Sequence, residues 1–273
     1  MNVLITGGAG YIGSSVSHHL LDKGHQVTII DNLSTGSIRN IPKKATFHKI
    51  DISNRKKLNK IFNEKKYDIV FHFAALINNE ESIEYPKKYF ENNFIKGKIF
   101  IENCIKNKVN KFIYSSTAAV YGNKNKQVNE KDDLKPMSPY PKSKLKLENF
   151  LIKKKKDIRC IILRYFNVAG SDKKLRCGFN VKKGYNLILN LCNAVFKKKI
   201  FIINGGDYNT KDGTTIRDYI HVEDLAKIHL LSANLILKKK MFKILNCGYG
   251  YGFSVKEILK KFNLISKNKV NYK

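Results

Sequence analysis

The chain has 273 residues and a formal net charge of +30, from 52 Lys and Arg against 22 Asp and Glu. A chain of this length buries one large core, with or without a smaller lobe, and the sequence has no apolar stretch of membrane-spanning length. Six of the basic residues are Arg, and the Lys residues are scattered along the chain. We therefore expect neither a nucleic-acid partner nor a membrane partner.

Three Lys runs, at 153–156, 197–199 and 238–240, lie near predicted helix ends. Cations there suit the helix dipole and water, which favours solvated helix ends over a binding patch. The alternative, a basic nucleic-acid binder, predicts steep salt-dependent retention on DNA.

The five cysteines, Cys104, Cys160, Cys177, Cys192 and Cys247, show no Cys-x-x-Cys spacing. Their spacing and odd number predict unpaired thiols in a reducing compartment. The first residues lead directly into a strand pattern, with no targeting segment before it. We therefore expect a cytoplasmic protein, and we predict no metal site.

The chain opens with a strand over 2–6, a glycine-rich turn and an amphipathic helix that runs to Lys23. In the turn, Gly7 allows a tight bend, Gly10 lets the backbone approach a pyrophosphate and Gly13 lets the helix pack closely on the sheet. The helix amino terminus offers amides and the positive end of a dipole to the phosphates. In this strand–turn–helix context the glycines predict a dinucleotide-binding site.

A second strand over 26–30 ends at Asp31, eighteen residues beyond Gly13. A carboxylate at this place accepts both hydroxyls of the adenine ribose and repels a 2′-phosphate. The sequence therefore predicts NAD rather than NADP as the cofactor.

Strands and helices keep alternating up to residue 167. Further strands are predicted over 45–50, 68–75, 111–117 and 158–167, and helices over 54–65, 86–107 and 139–155. The alternation specifies an α/β fold with a doubly wound parallel, Rossmann-like sheet. Ligands bind such sheets at the carboxyl ends of strands, where Ala74, Thr117 and Asn167 fall. His72, inside a fully apolar strand, is interpreted as a core histidine rather than a ligand.

A tyrosine and a lysine follow the central strand on a predicted helix. Ser138 and Pro139 are helix-start signals, and the spacing of four puts Tyr140 and Lys144 on one helix face. A neighbouring ammonium favours phenolate, so we expect Lys144 to lower the pKa of Tyr140 from its usual value of about 10. The Thr117 hydroxyl is placed to complete a relay to a substrate oxygen.

After Gly170 the alternation is less regular. The sequence predicts a loop over 171–183, a helix over 184–197, a short strand over 200–203, a helix that ends at Leu237 and a strand over 242–246. We expect an NAD-binding domain over 1–168 and a smaller C-terminal substrate lobe over 169–273, with some segments returning to the main sheet.

The residues resemble the extended short-chain dehydrogenase/reductase family and, within it, the UDP-glucose 4-epimerases, over nearly the whole chain. The most specific block is Arg-Asp-Tyr-Ile-His-Val at 217–222, after Asp-Gly-Thr at 212–214. The other matching blocks lie at 6–13, 31–36, 73–75, 81–82, 92–93, 115–122, 138–140, 163–167, 246–248 and 254–255.

The resemblance implies that UDP-glucose and UDP-galactose are interconverted by reversible hydride transfer between sugar carbon 4 and tightly bound NAD. Tyr140, as a phenolate held by Lys144 and the cofactor's positive ring, takes the proton of the 4-hydroxyl. Thr117 hydrogen-bonds the 4-oxygen, and Lys144 also holds the nicotinamide ribose.

The resemblance also implies the binding residues and a partner. Beside the three glycines and Asp31, the cofactor is lined by Tyr11, Ile12, Asn32, Asp51, Ile52, Phe73, Ala74, Asn92, Lys144 and Phe166. The nucleotide sugar meets Thr117, Tyr140, Asn167, Asn186, Leu187 and Arg217. Arg217 suits the diphosphate, and an ion pair with Asp218 or Asp224 is the alternative interpretation of its charge. A homodimer through helix 86–107 and the helix of Tyr140 is also implied.

Three departures from the family pattern stand out. Ile77 lies where many epimerases have Lys. Pro141 follows Tyr140 where Gly or Ala is common, and it biases Tyr140 away from helical dihedrals, which predicts a displaced tyrosine. The family continues beyond the position of residue 273 into a basic segment that clasps the diphosphate, so this sequence is interpreted as C-terminally shortened.

The sequence leaves other functions and substrates open. A degenerate NAD-binding protein with weak or no epimerase activity fits the shortened end, and UDP-N-acetylhexosamines are alternative substrates. A sugar-nucleotide 4,6-dehydratase requires an acid pair directly after Thr117, where Ala118 and Ala119 stand.

Overall fold

The computed structural model describes residues 1–124, 126–179 and 186–273. Its main sheet contains strands β1 (Asn2–Thr6), β2 (Gln26–Asp31), β3 (Thr46–Lys49), β4 (Ile69–His72), β5 (Lys111–Thr117), β6 (Arg159–Tyr165) and β9 (Phe242–Cys247). All neighbours pair in parallel, in the order β3-β2-β1-β4-β5-β6-β9. The direction of winding reverses between β1 and β4, so ligands are expected at the carboxyl ends of these two strands.

A second, three-stranded sheet lies outside the main one. It consists of β7 (Asn167–Ala169), β8 (Ile216–His221) and β10 (Gly252–Ser254), with β8 in the middle. Strand β8 pairs in parallel with β7 and antiparallel with β10.

The helices are α1 (Tyr11–Asp22), α2 (Arg55–Glu64), α3 (Asn79–Glu84), α4 (Pro86–Tyr89), α5 (Lys96–Lys106), α6 (Pro139–Lys153), α7 (Leu187–Phe196), α8 (Val222–Lys238) and α9 (Val255–Ser266). No helix in the described ranges is both long and apolar enough to cross a bilayer.

Two hydrophobic cores sandwich the main sheet. On one face, Leu58 of α2, Phe100 of α5 and Leu147 of α6 are fully buried. On the other face, Leu20 of α1 and Leu225 of α8 are fully buried. Each such side chain contributes about 1.5–3 kcal/mol of transfer free energy. The doubly wound parallel sheet predicted from the strand–helix alternation is confirmed.

Some predicted elements change in detail. The predicted helix 86–107 contains a π-helical turn over Phe90–Ile95 between α4 and α5. The predicted strand 158–167 ends at Tyr165, and the chain then enters the small sheet as β7.

The predicted strand 200–203 is wrong. Phe201 instead forms an isolated parallel bridge with Tyr272. Its amide donates to the Asn271 carbonyl, and its carbonyl accepts from the Lys273 amide. Strands β8 and β10 and helix α9 are not predicted from the sequence, although Ser254 and Glu257 form a capping box at the start of α9. The predicted loop 171–183 and helix 184–197 extend in part outside the described residues.

The proposed boundary between residues 168 and 169 stays a prediction. From the second half of the chain, β9 is the edge strand of the main sheet, and α8 covers one face of that sheet. The small sheet, α7 and α9 are the other regular elements among the C-terminal residues that the structure describes.

Candidate active site

The glycine-rich turn after β1 packs closely against the segment that follows β4. Gly7 has a φ of +73°, and a Cβ built on it would lie 2.6 Å from the Ala74 backbone nitrogen. A Cβ on Gly13 would strike the Gly7 carbonyl oxygen. Gly10 is the N-cap of α1 and offers no side-chain cap, so first-turn amides such as that of Tyr11 lack intrahelical partners. This bare cradle at a helix amino terminus fits the pyrophosphate of a dinucleotide.

Asp31 is fixed beside the cradle at the end of β2. Its Oδ2 accepts from the Ala9 amide at 3.0 Å and its Oδ1 accepts from the Leu33 amide at 2.8 Å. Burial raises the pKa of Asp31, and these two hydrogen bonds oppose the rise. The side-chain Nδ2 of the neighbouring Asn32 donates to Asp51 Oδ2 at 3.3 Å.

Asp51 forms an ion pair that the sequence did not predict. Lys96 Nζ lies 2.8 Å from its Oδ2, and Ser53 donates through both its amide and its hydroxyl. Burial raises the pKa of Asp51, but these hydrogen bonds outweigh it and lower the pKa to about 2. Ile52 is buried beside it. A contact of Asp51 and Ile52 with adenine stays a prediction.

His72 is a core histidine, as predicted. Its Nδ1 lies 2.7 Å from the Thr6 hydroxyl, and its ring stacks between Phe100 and Tyr114. Burial lowers the pKa of His72 to about 3, so the ring is neutral. Two predicted cofactor residues, Phe73 and Ala74, follow directly at the switch point between β1 and β4.

The π-helical turn presents Asn93 to two other segments. Its Oδ1 accepts from the Leu76 amide at 2.8 Å, and its Nδ2 donates to the Leu76 carbonyl at 2.9 Å and to Ser143 Oγ at 3.0 Å. The predicted cofactor residue Asn92 donates to Asn93 Oδ1 at 3.0 Å. One side-chain amide therefore connects the loop after β4 to α6.

Tyr140 and Thr117 meet at the carboxyl end of β5. The Thr117 hydroxyl acts on the Tyr140 phenol by lowering its pKa, and the Tyr140 amide donates to Ser82 Oγ at 3.2 Å. Helix α6 begins at Pro139, so Tyr140 and Pro141 both lie in its first turn. The predicted displacement of Tyr140 out of the helix by Pro141 is wrong, because a proline in the first turn removes an N–H that has no helical acceptor.

Lys144 lies one turn further along α6 and is fully enclosed. Its Nζ is 3.5 Å from Ser115 Oγ and 4.7 Å from the centre of the Tyr114 ring. Burial lowers the pKa of Lys144 to about 7, against the opposing charge of Glu148. The three predicted catalytic residues therefore lie together at the last residues of β5.

The prediction that Lys144 lowers the pKa of Tyr140 is wrong in its net effect. Burial raises the pKa of Tyr140 to about 12, and the hydrogen bond with Thr117 opposes the rise. Desolvation of the phenol dominates, and the buried Lys144, with its pKa near 7, is only partly charged at neutral pH.

A buried ion pair connects α6 to strand β6 of the main sheet. Arg164 Nη2 lies 2.8 Å from Glu148 Oε2, and the two side chains are 3% and 0% exposed. Ser116 donates to the same carboxylate, and Arg164 donates to the Tyr121 hydroxyl at 2.8 Å. Tyr121 donates to Asn246 at 2.7 Å, which connects β5, β6 and β9. This network is not predicted from the sequence, although Glu148 continues the spacing of four from Tyr140 and Lys144.

Apart from Thr117 and Tyr140, the residues predicted to meet the nucleotide sugar lie in and around the small sheet. Asn167 Nδ2 donates to the Asp218 carbonyl at 3.1 Å. Asn186 caps α7 by accepting from two of its amides, and Leu187 is the first residue of that helix. Phe166, predicted to line the cofactor, follows β6, and its ring approaches Gly248.

Arg217 is exposed on β8. Among the residues that the structure describes, its guanidinium forms no ion pair and donates to the Ile216 carbonyl at 3.4 Å. Asp218 accepts instead from the amides of Tyr249 and Gly250. The alternative interpretation of Arg217 as a structural ion pair is therefore not supported. Ile77, the other departure near the site, is 60% exposed.

Comparison with protein families gives one match that spans most of the chain. Residues 3–248 match the NAD dependent epimerase/dehydratase family. The UDP-glucose 4-epimerase of Azospirillum brasilense is 39% identical over 272 residues, which is 98% of this chain and 78% of that enzyme.

Solved structures agree with this match. The UDP-glucose-4-epimerase of Stenotrophomonas maltophila, with bound NAD and formylated UDP-arabinopyranose, superposes with a TM-score of 0.96 at 33% identity, over 100% of this chain and 85% of that one. The UDP-Glc/GlcNAc 4-epimerase of Campylobacter jejuni gives a TM-score of 0.85 at 38% identity, over the same shares of the two chains.

Proposed function

This chain belongs to the NAD dependent epimerase/dehydratase family, and from that premise we propose that it is an NAD-dependent isomerase that interconverts UDP-glucose and UDP-galactose. The observation that carries the proposal is the convergence of Thr117, Tyr140 and Lys144 beside the glycine cradle at the carboxyl edge of the sheet. A dehydratase is disfavoured because Ala118 and Ala119 follow Thr117.

The cofactor is NAD, and the residues of the cradle fit it. Gly7, Gly10 and Gly13 leave room for the pyrophosphate, and the amides of Tyr11 and Ile12 would donate to the phosphates. Asp31 meets the adenine ribose. The remaining cofactor contacts in this proposal are Asn32, Asp51, Ile52, Phe73, Ala74, Asn92, Lys144 and Phe166.

In the proposed reaction, Tyr140 takes the proton of the sugar 4-hydroxyl and later returns it. Thr117 hydrogen-bonds the 4-oxygen, a role supported by its place at the end of β5 and by its lowering effect on the pKa of Tyr140. Bound NAD would supply the acceptor and donor of the carbon 4 hydride, and its positive ring would favour the Tyr140 phenolate.

The other end of the substrate is held by the small lobe. Arg217 pairs with the diphosphate, which is supported by its exposed guanidinium and the absence of a carboxylate partner in the described ranges. Asn167, Asn186 and Leu187 surround the nucleotide. This tether lets the oxidised sugar turn and receive the hydride on its other face.

UDP-N-acetylhexosamines are a second substrate class. The structural similarity to the Campylobacter jejuni UDP-Glc/GlcNAc 4-epimerase favours testing them. The assembly in this proposal is a homodimer through the helices α4, α5 and α6, and the location is the cytoplasm. Five free thiols within the described residues support a reducing location.

Purified protein tests the proposal with Tyr140→Phe as the key variant. We expect the unaltered chain to contain NAD and to epimerise UDP-glucose, and Tyr140→Phe to keep NAD but lose roughly 100- to 10,000-fold in kcat, the range for a lost general acid–base. UDP-N-acetylglucosamine is assayed in parallel. Epimerisation that survives at full rate in Tyr140→Phe contradicts the mechanism. NAD retained without any epimerisation by the unaltered chain supports the degenerate alternative instead.

A further inference from the structure

The first turn of α6 contains a backbone amide that its own helix does not bond. Pro139 and Pro141 have no N–H, so the Tyr140 amide is the only donor at these three positions. An amide in the first turn of a helix has no acceptor within that helix. The hydroxyl of Ser138, the N-cap residue, donates to Asn79 Oδ1 and does not cap the described helix. The Tyr140 amide therefore depends on an acceptor from another segment.

Ser82 of α3 supplies this acceptor. Its Oγ lies 3.2 Å from the Tyr140 nitrogen. The same hydroxyl donates to the Asn79 carbonyl oxygen at 2.6 Å. Because a carbonyl oxygen can only accept, the Ser82 proton is used in that bond, and the Oγ lone pairs remain for the Tyr140 amide. Ser82 is 0% exposed, so its hydroxyl is enclosed by protein. The direction of both hydrogen bonds is therefore fixed.

The Tyr140 carbonyl oxygen is bound by a second serine of the same kind. Ser143 Oγ donates to it at 2.6 Å, and Asn93 Nδ2 donates to Ser143 Oγ at 3.0 Å. An amide nitrogen can only donate and a carbonyl oxygen can only accept, so this pair of bonds also has one direction. Ser143 is likewise 0% exposed. Both polar backbone groups of Tyr140 are thus held by buried hydroxyls that are themselves anchored to other residues.

We propose that Ser82 and Ser143 are positioning residues that fix the Tyr140 backbone, and through it the direction in which the phenol points. The catalytic part rests on the proposed function, because Tyr140 is the acid–base group there. Such a group must lie within hydrogen-bond reach of the proton that it transfers. We expect the larger effect from Ser82, since a carbonyl inside an α-helix also accepts from the amide four residues on, whereas the Tyr140 amide has no helical acceptor.

The two anchors connect Tyr140 to the segment that follows β4. Ser82 lies on α3, which begins directly after that segment. Asn93, which binds Ser143, also binds both backbone groups of Leu76 in that segment. The segment includes Phe73 and Ala74, which are assigned to the cofactor. The serines therefore hold the acid–base residue and the proposed cofactor wall in one hydrogen-bonded unit.

Ser82→Ala tests the role by removing a single oxygen atom. We expect kcat to fall by about 10-fold, as for a shift of the phenol by a fraction of an ångström, with KM for UDP-glucose and NAD content nearly unchanged. The matched control is Ser254→Ala. Ser254 is 4% exposed, and its hydroxyl accepts from the first-turn Glu257 amide of α9 at 3.0 Å and donates to Asp212. Equal losses of kcat in both variants, or no loss in Ser82→Ala, would overturn the proposal.

The double variant Ser82→Ala/Ser143→Ala tests whether the two serines hold the same residue. Once either serine is removed, Tyr140 is already displaced, so removal of the other has less left to disturb. We therefore expect the double variant to lose less in kcat than the product of the two single losses. A loss equal to that product would mean that the serines act on independent features, and it would overturn their shared role.

Hydrogen exchange at Tyr140 separates this proposal from the proposed function, because it does not need turnover. The flanking prolines leave residues 139–141 with a single exchangeable amide, which mass spectrometry of overlapping peptides can follow. We expect its exchange to become about 10-fold faster in Ser82→Ala, as for one lost hydrogen bond, and to stay unchanged in Ser254→Ala.

The two proposals can therefore fail separately. If the unaltered chain does not epimerise UDP-sugars, the proposed function fails, and the exchange of the Tyr140 amide in Ser82→Ala and Ser254→Ala still decides the positioning role. Equal exchange rates of this amide in the two variants would reject that role.

Discussion

The carboxyl edge of the main sheet and the small lobe beside it are built in different ways. At the edge, buried side chains such as Glu148 and Arg164 are hydrogen-bonded into networks that join several strands and helices. The lobe has a small core of its own, formed by Leu191, Ala194, Phe201, Leu259 and Val270. Around it, Phe196, Leu264 and Ile265 are more than 80% exposed.

From this difference we infer that the two regions have different functions. Acid–base chemistry requires groups held within fractions of an ångström, which packed and hydrogen-bonded strands provide. A lobe with few buried contacts opens more easily and suits the binding and turning of a tethered sugar. Changes at the edge should therefore remove cofactor binding and catalysis, whereas changes in the lobe should act locally.

The largest effect is expected from Gly7→Ala. The new Cβ would lie 2.6 Å from the Ala74 nitrogen at a φ of +73°, so the two segments that flank the cofactor must move apart. We expect the purified variant to contain no NAD, as judged by absorbance after denaturation and by calorimetry. Gly24→Ala is the matched control, because Gly24 has a φ of +76° with open space for a Cβ. It should cost about 1–2 kcal/mol in the free energy of unfolding and retain NAD. If Gly7→Ala retains NAD as well, the close contact between Gly7 and Ala74 is not part of the cofactor site.

The next effect is expected from the buried ion pair. Glu148→Gln leaves the Arg164 guanidinium enclosed without a countercharge, which costs about 3–5 kcal/mol in the free energy of unfolding. Urea denaturation followed by circular dichroism measures it. Glu64→Gln is the comparison, since its pair with Lys60 is 4.0 Å long and solvent-exposed. It should change the same quantity by no more than about 0.5 kcal/mol. Similar losses in the two variants would mean that the buried ion pair stabilises the fold no more than an exposed one does.

The smallest effect is expected from Leu191→Ala in the lobe, with Leu163→Ala in the main sheet as its comparison, since both leucines are 0% exposed. Leu163→Ala, in the main sheet, should lower the global free energy of unfolding by about 2–5 kcal/mol. Leu191→Ala should lower mainly the local opening free energy of α7 and α9, which hydrogen exchange reports segment by segment. Equal global losses would show that the lobe unfolds together with the sheet, which would remove the contrast between the two regions.

The parts of the site that the sequence predicted are those with local signals. The glycine turn, Asp31 at a strand end and the spacing between Tyr140 and Lys144 are each read from a short window. Thr117 is predicted in the same way, from its place at the end of a strand, and the family resemblance adds its role at the 4-oxygen.

The parts that the sequence missed depend on contacts between distant segments. Neither the ion pair of Asp51 with Lys96 nor the hydrogen bond of Tyr165 with His229 follows from spacing along the chain. The sign of the Tyr140 pKa shift was also missed, because pattern reasoning counts a neighbouring charge but not the burial of the phenol. Short strands such as β10 escaped prediction because three residues carry no measurable alternation.

The π-helical turn at Phe90–Ile95 has a consequence for how this helix tolerates length changes. Such a turn is wider than an α-turn by one residue, so the helix carries one residue more than a regular helix between the same ends. Removing a single residue there would restore regular winding and swing Asn93 by roughly a quarter of a turn, away from Leu76 and Ser143. In this helix a one-residue deletion would thus be more damaging than most substitutions, since it would release the loop after β4 and the start of α6 together.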